Sequence, residues 1–144
     1  MLIKQISVFV ENKEGRLHKL TELLGKNGID FVAMCIADTT DFGIMRCIVK
    51  DPDKALAILR ENGYAASTAY VLGIEVPDHP GGMSEVLALL AGHNMPVEYL
   101  YSFVRSNTKG ALILLKVDRI EEAEQLLLNN GVHVLSESDI YSLN

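Results

Sequence analysis

The feature that most constrains this chain is a pattern it carries twice. Glu11 to Leu17 reads ENKEGRL, and 66 positions further on Pro77 to Met83 reads PDHPGGM. Each stretch follows an apolar run with strand-like alternation and opens a run with helical spacing. Each places a side chain able to cap a helix, Asn12 or Asp78, three residues before a glycine, Gly15 or Gly81. The later punctuation repeats as well: Gly28, Gly43 and Gly63 are met by Asn94, Gly110 and Gly131, at offsets of 66 to 68. A chain patterned this way is an internal duplication and folds as two copies of one small unit.

Within the first copy, Leu2–Val10 reads as a strand with Ile6, Val8 and Val10 on one face. Leu17, Leu20, Leu23 and Leu24 predict a helix that stops at Asn27-Gly28. Ile29–Ala37 and Ile44–Lys50 form a hairpin about the polar run Asp38–Asp41; Phe31, Ala33 and Cys35 face one way, and Val32, Met34 and Ile36 the other. Asp51-Pro52-Asp53 opens a second helix, with Ala55, Ile58 and Leu59 inward and Asn62-Gly63 at its end. Tyr64–Val76 is extended and leads into the second copy.

There, Met83, Val86, Leu87 and Leu90 predict a helix, and Pro96–Arg105 a strand. A turn over Ser106–Gly110 and a returning strand Ala111–Val117 follow. Asp118 is expected to cap a helix carrying Ile120, Ala123 and Leu127, and Val132–Tyr141 to be the last strand. Each copy is βαββαβ. The fold class is therefore α+β, two ferredoxin-like units in tandem over residues 1–70 and 71–144. Right-handed crossovers put both helices of a unit on one face of its sheet. About 70 residues is close to the least that supports an independent core. Two such units with one bare sheet face each are expected to pack as a pseudo-dimer.

Composition removes several function classes. Residues are 49% hydrophobic and 22% charged, as in a folded globular protein. A net charge of −6 and only 6% aromatic residues argue against nucleic acid, which demands surplus Lys and Arg and stacking surfaces. No run approaches the roughly 20 apolar residues of a membrane helix. The opening MLIKQISVFVEN reads as a strand rather than a leader, so the expected location is the cytoplasm. His18, His79, His93 and His133 are scattered without ligand spacing, and Glu121, Glu122 and Glu124 read as the solvated start of a helix. No P-loop, dinucleotide fingerprint or Ser/His/Asp order is present. The chain is expected to be no enzyme and to hold neither metal nor cofactor. Cys35 and Cys47 fall where a hairpin would oppose them; two small buried hydrophobes is the leading reading and a redox pair the alternative.

The loops point to a ligand. A glycine loop at a helix N-terminus exposes backbone N–H groups, which suit a small carboxylate. A βαββαβ unit of this length with a (D/N)-x-(P)-G-x-(L) loop resembles the ACT domain, and the whole chain resembles a stand-alone tandem ACT-domain protein. The resemblance implies binding of a free amino acid in the regulation of amino-acid metabolism. It aligns Asn12 and Asp78 with the polar position, Gly15 and Gly81 with the glycine, and Leu17 and Met83 with the apolar anchor. The candidate ligand-binding residues are Asn12, Lys13, Glu14, Gly15, Arg16 and Leu17 in the first loop. In the second they are Asp78, His79, Pro80, Gly81, Gly82 and Met83. Asp30 and Phe31, at the start of the second strand, complete the set, with Asp30 a partner for an ammonium group. Glu14 stands where the family has proline, which Pro80 keeps. Pro96 stands where the second copy would need the counterpart of Asp30, so the two sites are expected to be unequal. Candidate partners are a free amino acid, a second copy in a homodimer, and a biosynthetic enzyme to which the chain docks as a regulatory subunit.

Overall fold

The structure, a computed structural model, describes residues 1–38, 41–104 and 108–143. It divides into two compact units, Lys4–Ala69 and Met1–Ile3 with Tyr70–Asn144. The first unit contains β1 (Ile3–Glu11), α1 (Arg16–Lys26), β2 (Phe31–Asp38), β3 (Phe42–Val49), α2 (Pro52–Glu61) and the start of β4 (Ala66–Val76). The second contains the rest of β4, then α3 (Gly82–Gly92), β5 (Val97–Ser102), β6 (Ala111–Val117), α4 (Ile120–Asn129), β7 (His133–Leu135) and α5 (Glu137–Tyr141). Strand order is β2-β3-β1-β4 in the first unit and β5-β6-β4-β7 in the second. The two are the same ferredoxin-like order, with antiparallel pairing of β2 and β1 to β3, of β5 and β4 to β6, and of β7 to β4. Among the described residues no helix is long and apolar enough to cross a membrane.

The expected apolar faces become the cores. In the first unit Ile6, Val8 and Val10 of β1 pack against Leu20 and Leu24 of α1 and Ala55 and Leu59 of α2. In the second, Leu72, Ile74 and Val76 of β4 meet Val86 and Leu90 of α3 and Ala123 and Leu127 of α4. Burying one such leucine or valine contributes about 1.5–3 kcal/mol, the largest favourable term available to units this small. Asp51 caps α2 as expected, its carboxylate accepting from the Lys54 N–H at 3.2 Å, with Pro52 in the first turn.

Four local expectations need correcting. Strict alternation in β2 fails because a bulge falls between Phe31 and Ala33, and its counterpart falls between Val97 and Tyr99 in β5. The extra residue resets the pleat, so Phe31 and Met34, three apart, both pack on the first core. The cysteines are not opposed: beyond the bulge Cys35 faces Arg46 and Cys47 faces Met34. Neighbouring positions on a strand point to opposite faces, and both thiols are free. Burial in the first core pushes the Cys47 thiol up to about 12, where it is inert. Asp118 does not cap α4. Arg119 holds that position, its guanidinium donating to His93 O at 3.1 Å and Asn94 O at 2.7 Å. The turns expected over Asp38–Asp41 and Ser106–Gly110, and the strand end expected at Arg105, lie partly or wholly outside the described residues.

The fourth correction concerns the last strand. It stops at Leu135, and a short helix follows. Ser136 Oγ accepts from the Asp139 N–H at 3.1 Å while Asp139 Oδ2 accepts from the Ser136 N–H at 2.9 Å, a reciprocal capping box. Hydrogen bonds from the Ser136 N–H and the Ser136 side chain hold the Asp139 carboxyl below its ordinary range. Ile140 of α5 is fully buried, and Gly73 makes the room. A Cβ there would stand 2.8 Å from Ile3 Cδ1 and 3.3 Å from Ile140 Cδ1. Ser136→Ala is expected to lower stability by about 0.5–2 kcal/mol in urea unfolding at pH 7. An unchanged midpoint would show that the box does not hold α5.

Candidate functional site

Strands β1 and β4 each run out into the glycine loops, and the geometry of the two loops is the same. Gly15 and Gly81 are left-handed, with φ of +81° and +89°, and each is the N-cap of its helix. A Cβ at either would meet nothing within 4 Å, so the backbone conformation rather than close packing requires glycine here. A glycine cap has no side chain, and Asn12 and Asp78 do not cap in its place: neither helix start has a side-chain cap hydrogen bond. Backbone bonds close the loops instead. The Arg16 N–H donates to Lys13 O at 3.2 Å, and the Gly82 N–H to His79 O at 3.1 Å. The N–H groups of Leu17 and His18, and of Met83 and Ser84, have no acceptor among the described residues. Both helices thus present the open donors expected of an anion-binding start.

A cleft of about 560 Å³ lies beside the second loop. Its floor is apolar (Val76, Pro77, Val86, Leu89 and Val132), and its rim carries Glu75, Asp78, Glu85, Lys109 and His133. Two glycines in its wall allow the backbone to pack closely. A Cβ on Gly82 would collide with Pro77 O, and one on Gly110 would stand 2.9 Å from Val76 O. Glu75 is committed to the protein: it accepts from His133 Nδ1 at 3.0 Å and from the Gly110 N–H at 3.3 Å. The His133 hydrogen bond, with help from Thr108 and Gly110, holds its carboxyl below the ordinary range against the opposing effect of burial. Asp78, Glu85 and Lys109 have no ion pair or hydrogen-bonded side-chain partner among the described residues.

A smaller cleft of about 370 Å³ occupies the same place in the first unit, lined by Phe9, Val10, Glu11, Arg16, Phe42, Tyr64 and their neighbours. Here the rim charges are paired internally: Arg16 Nε lies 3.7 Å and Lys13 Nζ 3.4 Å from Glu11 Oε2. Asn12 and Lys13 line a separate hollow with Asp41 and Phe42.

Of the residues singled out in the sequence, Arg16, Asp78 and Gly82 line these two clefts. Glu14, Gly15, Leu17, Pro80, Gly81 and Met83 line neither; Leu17 is 37% exposed, and Met83 packs on the second core. His79 turns away, its Nδ1 3.0 Å from Pro80 O. Asp30 is exposed at the entry to β2, and Phe31 packs on the first core. Glu124 is not a solvated helix-start residue: its side chain is 14% exposed, with Oε2 3.0 Å from the Met1 ammonium. Sequence reasoning missed Glu75, Glu85, Lys109, Gly110 and His133 as cleft residues. The one available signal was a glutamate at position 75 in an otherwise apolar strand. Among the described residues no three His, Cys, Asp or Glu side chains come together as metal ligands.

Residues 1–144 match the ACT domain pair family. The chain belongs to that family. ACT domains are ligand-binding regulatory domains of a non-catalytic type. The ACT pair resembles the crystal structure of protein BT0572 from Bacteroides thetaiotaomicron, with 40% identity, a TM-score of 0.92, and coverage of 99% of this chain and 98% of that one. It also resembles the ligand-free regulatory subunit of aspartate kinase from Thermus thermophilus, at 15% identity and TM-score 0.63 over 90% and 94% of the two chains. The corresponding subunit from Thermus flavus gives 14% identity and TM-score 0.60 over 88% and 90%. The two Thermus likenesses are of fold alone. A comparison with curated proteins gives no match.

The depressed Glu75 carboxyl makes a prediction about pH. A group whose pKa is lower folded than unfolded stabilises above its unfolded value, about 4.3 for glutamate, and the stability is lost as pH falls through the folded value. Glu75→Gln is expected to lower the melting temperature at pH 7 and to flatten its fall between pH 6 and pH 3. Parallel pH curves for variant and wild type would show that the bond to His133 contributes nothing to stability.

Proposed function

We propose that this ACT domain pair is a non-catalytic protein that binds a free amino acid and serves in the regulation of amino-acid metabolism. The observation that carries the reading is the glycine start of α3. Among the described residues, it leaves two backbone N–H groups without acceptors beside a cleft whose rim holds unpaired acids and an unpaired lysine. Open donors and Lys109 suit a carboxylate, and Asp78 or Glu85 suits an ammonium group. The apolar floor takes the side chain. A ligand that favours one arrangement of the protein shifts its population toward that arrangement, which is how such binding becomes regulation.

A second reading is favoured by what two structural neighbours are, regulatory subunits of aspartate kinase. Here the chain works mainly by docking onto a biosynthetic enzyme, with the amino acid adjusting the docking. Assembly with a second copy as a homodimer and a cytoplasmic location belong to either reading.

Calorimetry and thermal shift against the full set of proteinogenic amino acids test the first reading. One or a few should give heat and raise the melting temperature, since ligand at a hundred times its Kd contributes about 2.7 kcal/mol. Silence across the whole set would sink it. Recovery of a stoichiometric enzyme partner on purification from the source cell, with that complex sensitive to an amino acid, would move the weight to the second.

A further inference from the structure

Resting on the amino-acid-binding reading, we infer that the chain binds one ligand, not two: an α-amino acid with an apolar side chain, held in the cleft of the second unit. The two clefts are the same place in the repeat. Phe9, Glu11 and Arg16 correspond, 66 positions on, to Glu75, Pro77 and Gly82. Strand pairing sets Gly43 opposite Val10 and Ala111 opposite Val76, so Gly110 takes the place of Phe42 rather than of Gly43, and Val132 that of Tyr64, both 68 positions on.

Every one of these exchanges except that at Glu75 removes bulk or charge from the second cleft. In the first unit a guanidinium and a carboxylate of the protein's own, Arg16 and Glu11, face each other across the opening. In the second, glycine and proline stand at those positions, so the pair is missing. An amino-acid zwitterion brings the same two charges, joined in one small molecule. The rim supplies their counterparts in Lys109 for the carboxylate and in Asp78 and Glu85 for the ammonium.

The floor sets the side-chain class. Val76 and Val86 are buried at the base, and Leu89 and Val132 are half-buried above them. A charged side chain lowered onto that surface would lose its hydration without a partner. An aliphatic or thioether side chain gains by burial. The first cleft denies the same ligand a seat, because Tyr64 stands where the second has the smaller Val132, and its volume is about 370 Å³ against about 560 Å³.

Titration calorimetry on the full chain tests the inference with leucine, isoleucine, valine and methionine against lysine and aspartate. The expected result is a stoichiometry of one per chain, with the apolar members bound. Val132→Tyr, which installs the first unit's residue, should weaken binding at least tenfold, and Tyr64→Val should leave it unchanged. Lys109→Glu, at an exposed position where folding is not at stake, should also weaken it at least tenfold. A stoichiometry of two overturns the inference. So does a preference for lysine or aspartate, or wild-type affinity in the Val132→Tyr and Lys109→Glu variants; in each of these cases the amino-acid-binding reading stands. No binding of any amino acid by the wild-type chain overturns that reading and the inference together.

Discussion

A left-handed glycine at the N-cap is the constraint from which the rest of each unit follows. An ordinary helix start spends a serine, threonine, asparagine or aspartate on its first N–H groups, worth about 0.5–2 kcal/mol. Gly15 and Gly81 forgo that, because a positive φ turns the chain sharply from strand into helix and leaves no side chain to fold back. The turn delivers α1 and α3 onto their sheets with Leu20 and Leu24, or Val86 and Leu90, facing inward. The burial of those side chains, at about 1.5–3 kcal/mol each, outweighs the missing cap several times over. What remains uncapped is available to a ligand.

Duplication makes it clear which features the backbone demands and which the surface is free to change. The glycine turn, the bulge at the start of the second strand of each unit and the inward stripes of both helices recur at matching positions. These fix the fold, and a change in any of them would strain or empty a core. The cleft linings keep Val10 as Val76, Asn62 as Asn130 and Gly63 as Gly131, and differ elsewhere. Arg16 against Gly82 and Phe42 against Gly110 are exchanges between residues of opposite size at the same backbone position. At Gly82 and Gly110 the backbone itself comes close, to Pro77 O and Val76 O, so these exchanges change the packing of the loop as well as the lining of the cleft.

Most of the fold was legible because it rests on periodicity. Ile6, Val8 and Val10 alternate, Leu20 and Leu24 sit four apart, and Asn62-Gly63 ends a helix in a way few other dipeptides do. The bulges were not legible: nothing in the composition of Phe31-Val32-Ala33 separates an extra unpaired residue from plain alternation. The thiol question turned instead on one position of hairpin register: counted from the turn, Met34 and not Cys35 faces Cys47. The capping box at Ser136 and Asp139 was readable in principle. The apolar Val132, Val134 and Leu135 nevertheless suggested a longer strand, and the room that Gly73 makes for α5 is a fact of three dimensions. The glycine loops were visible as motifs, whereas the second cleft draws on Glu75, on Lys109 and Gly110, and on Asn130 to His133. Only the antiparallel pairing of β4 with β6 and β7 brings those segments together.

The charges in that cleft differ in whether the protein already uses them. Glu75 looks at first like the acid to bind an ammonium group, since it is the best shielded carboxylate on the rim. Its oxygens are taken, however, by the His133 ring and the Gly110 N–H, and those bonds tie the end of the β6 turn to β7. Diverting it to a ligand would break both bonds and loosen the wall of the cleft, so its part is to hold the opening in shape. Asp78 and Glu85 have no such commitments among the described residues, and an exposed, unpaired carboxylate gives up little when it meets a cation. The proposed recognition by those two acids and Lys109 would leave the fold untouched. A regulatory protein needs that separation, because its ligand must come and go without unfolding the site that receives it.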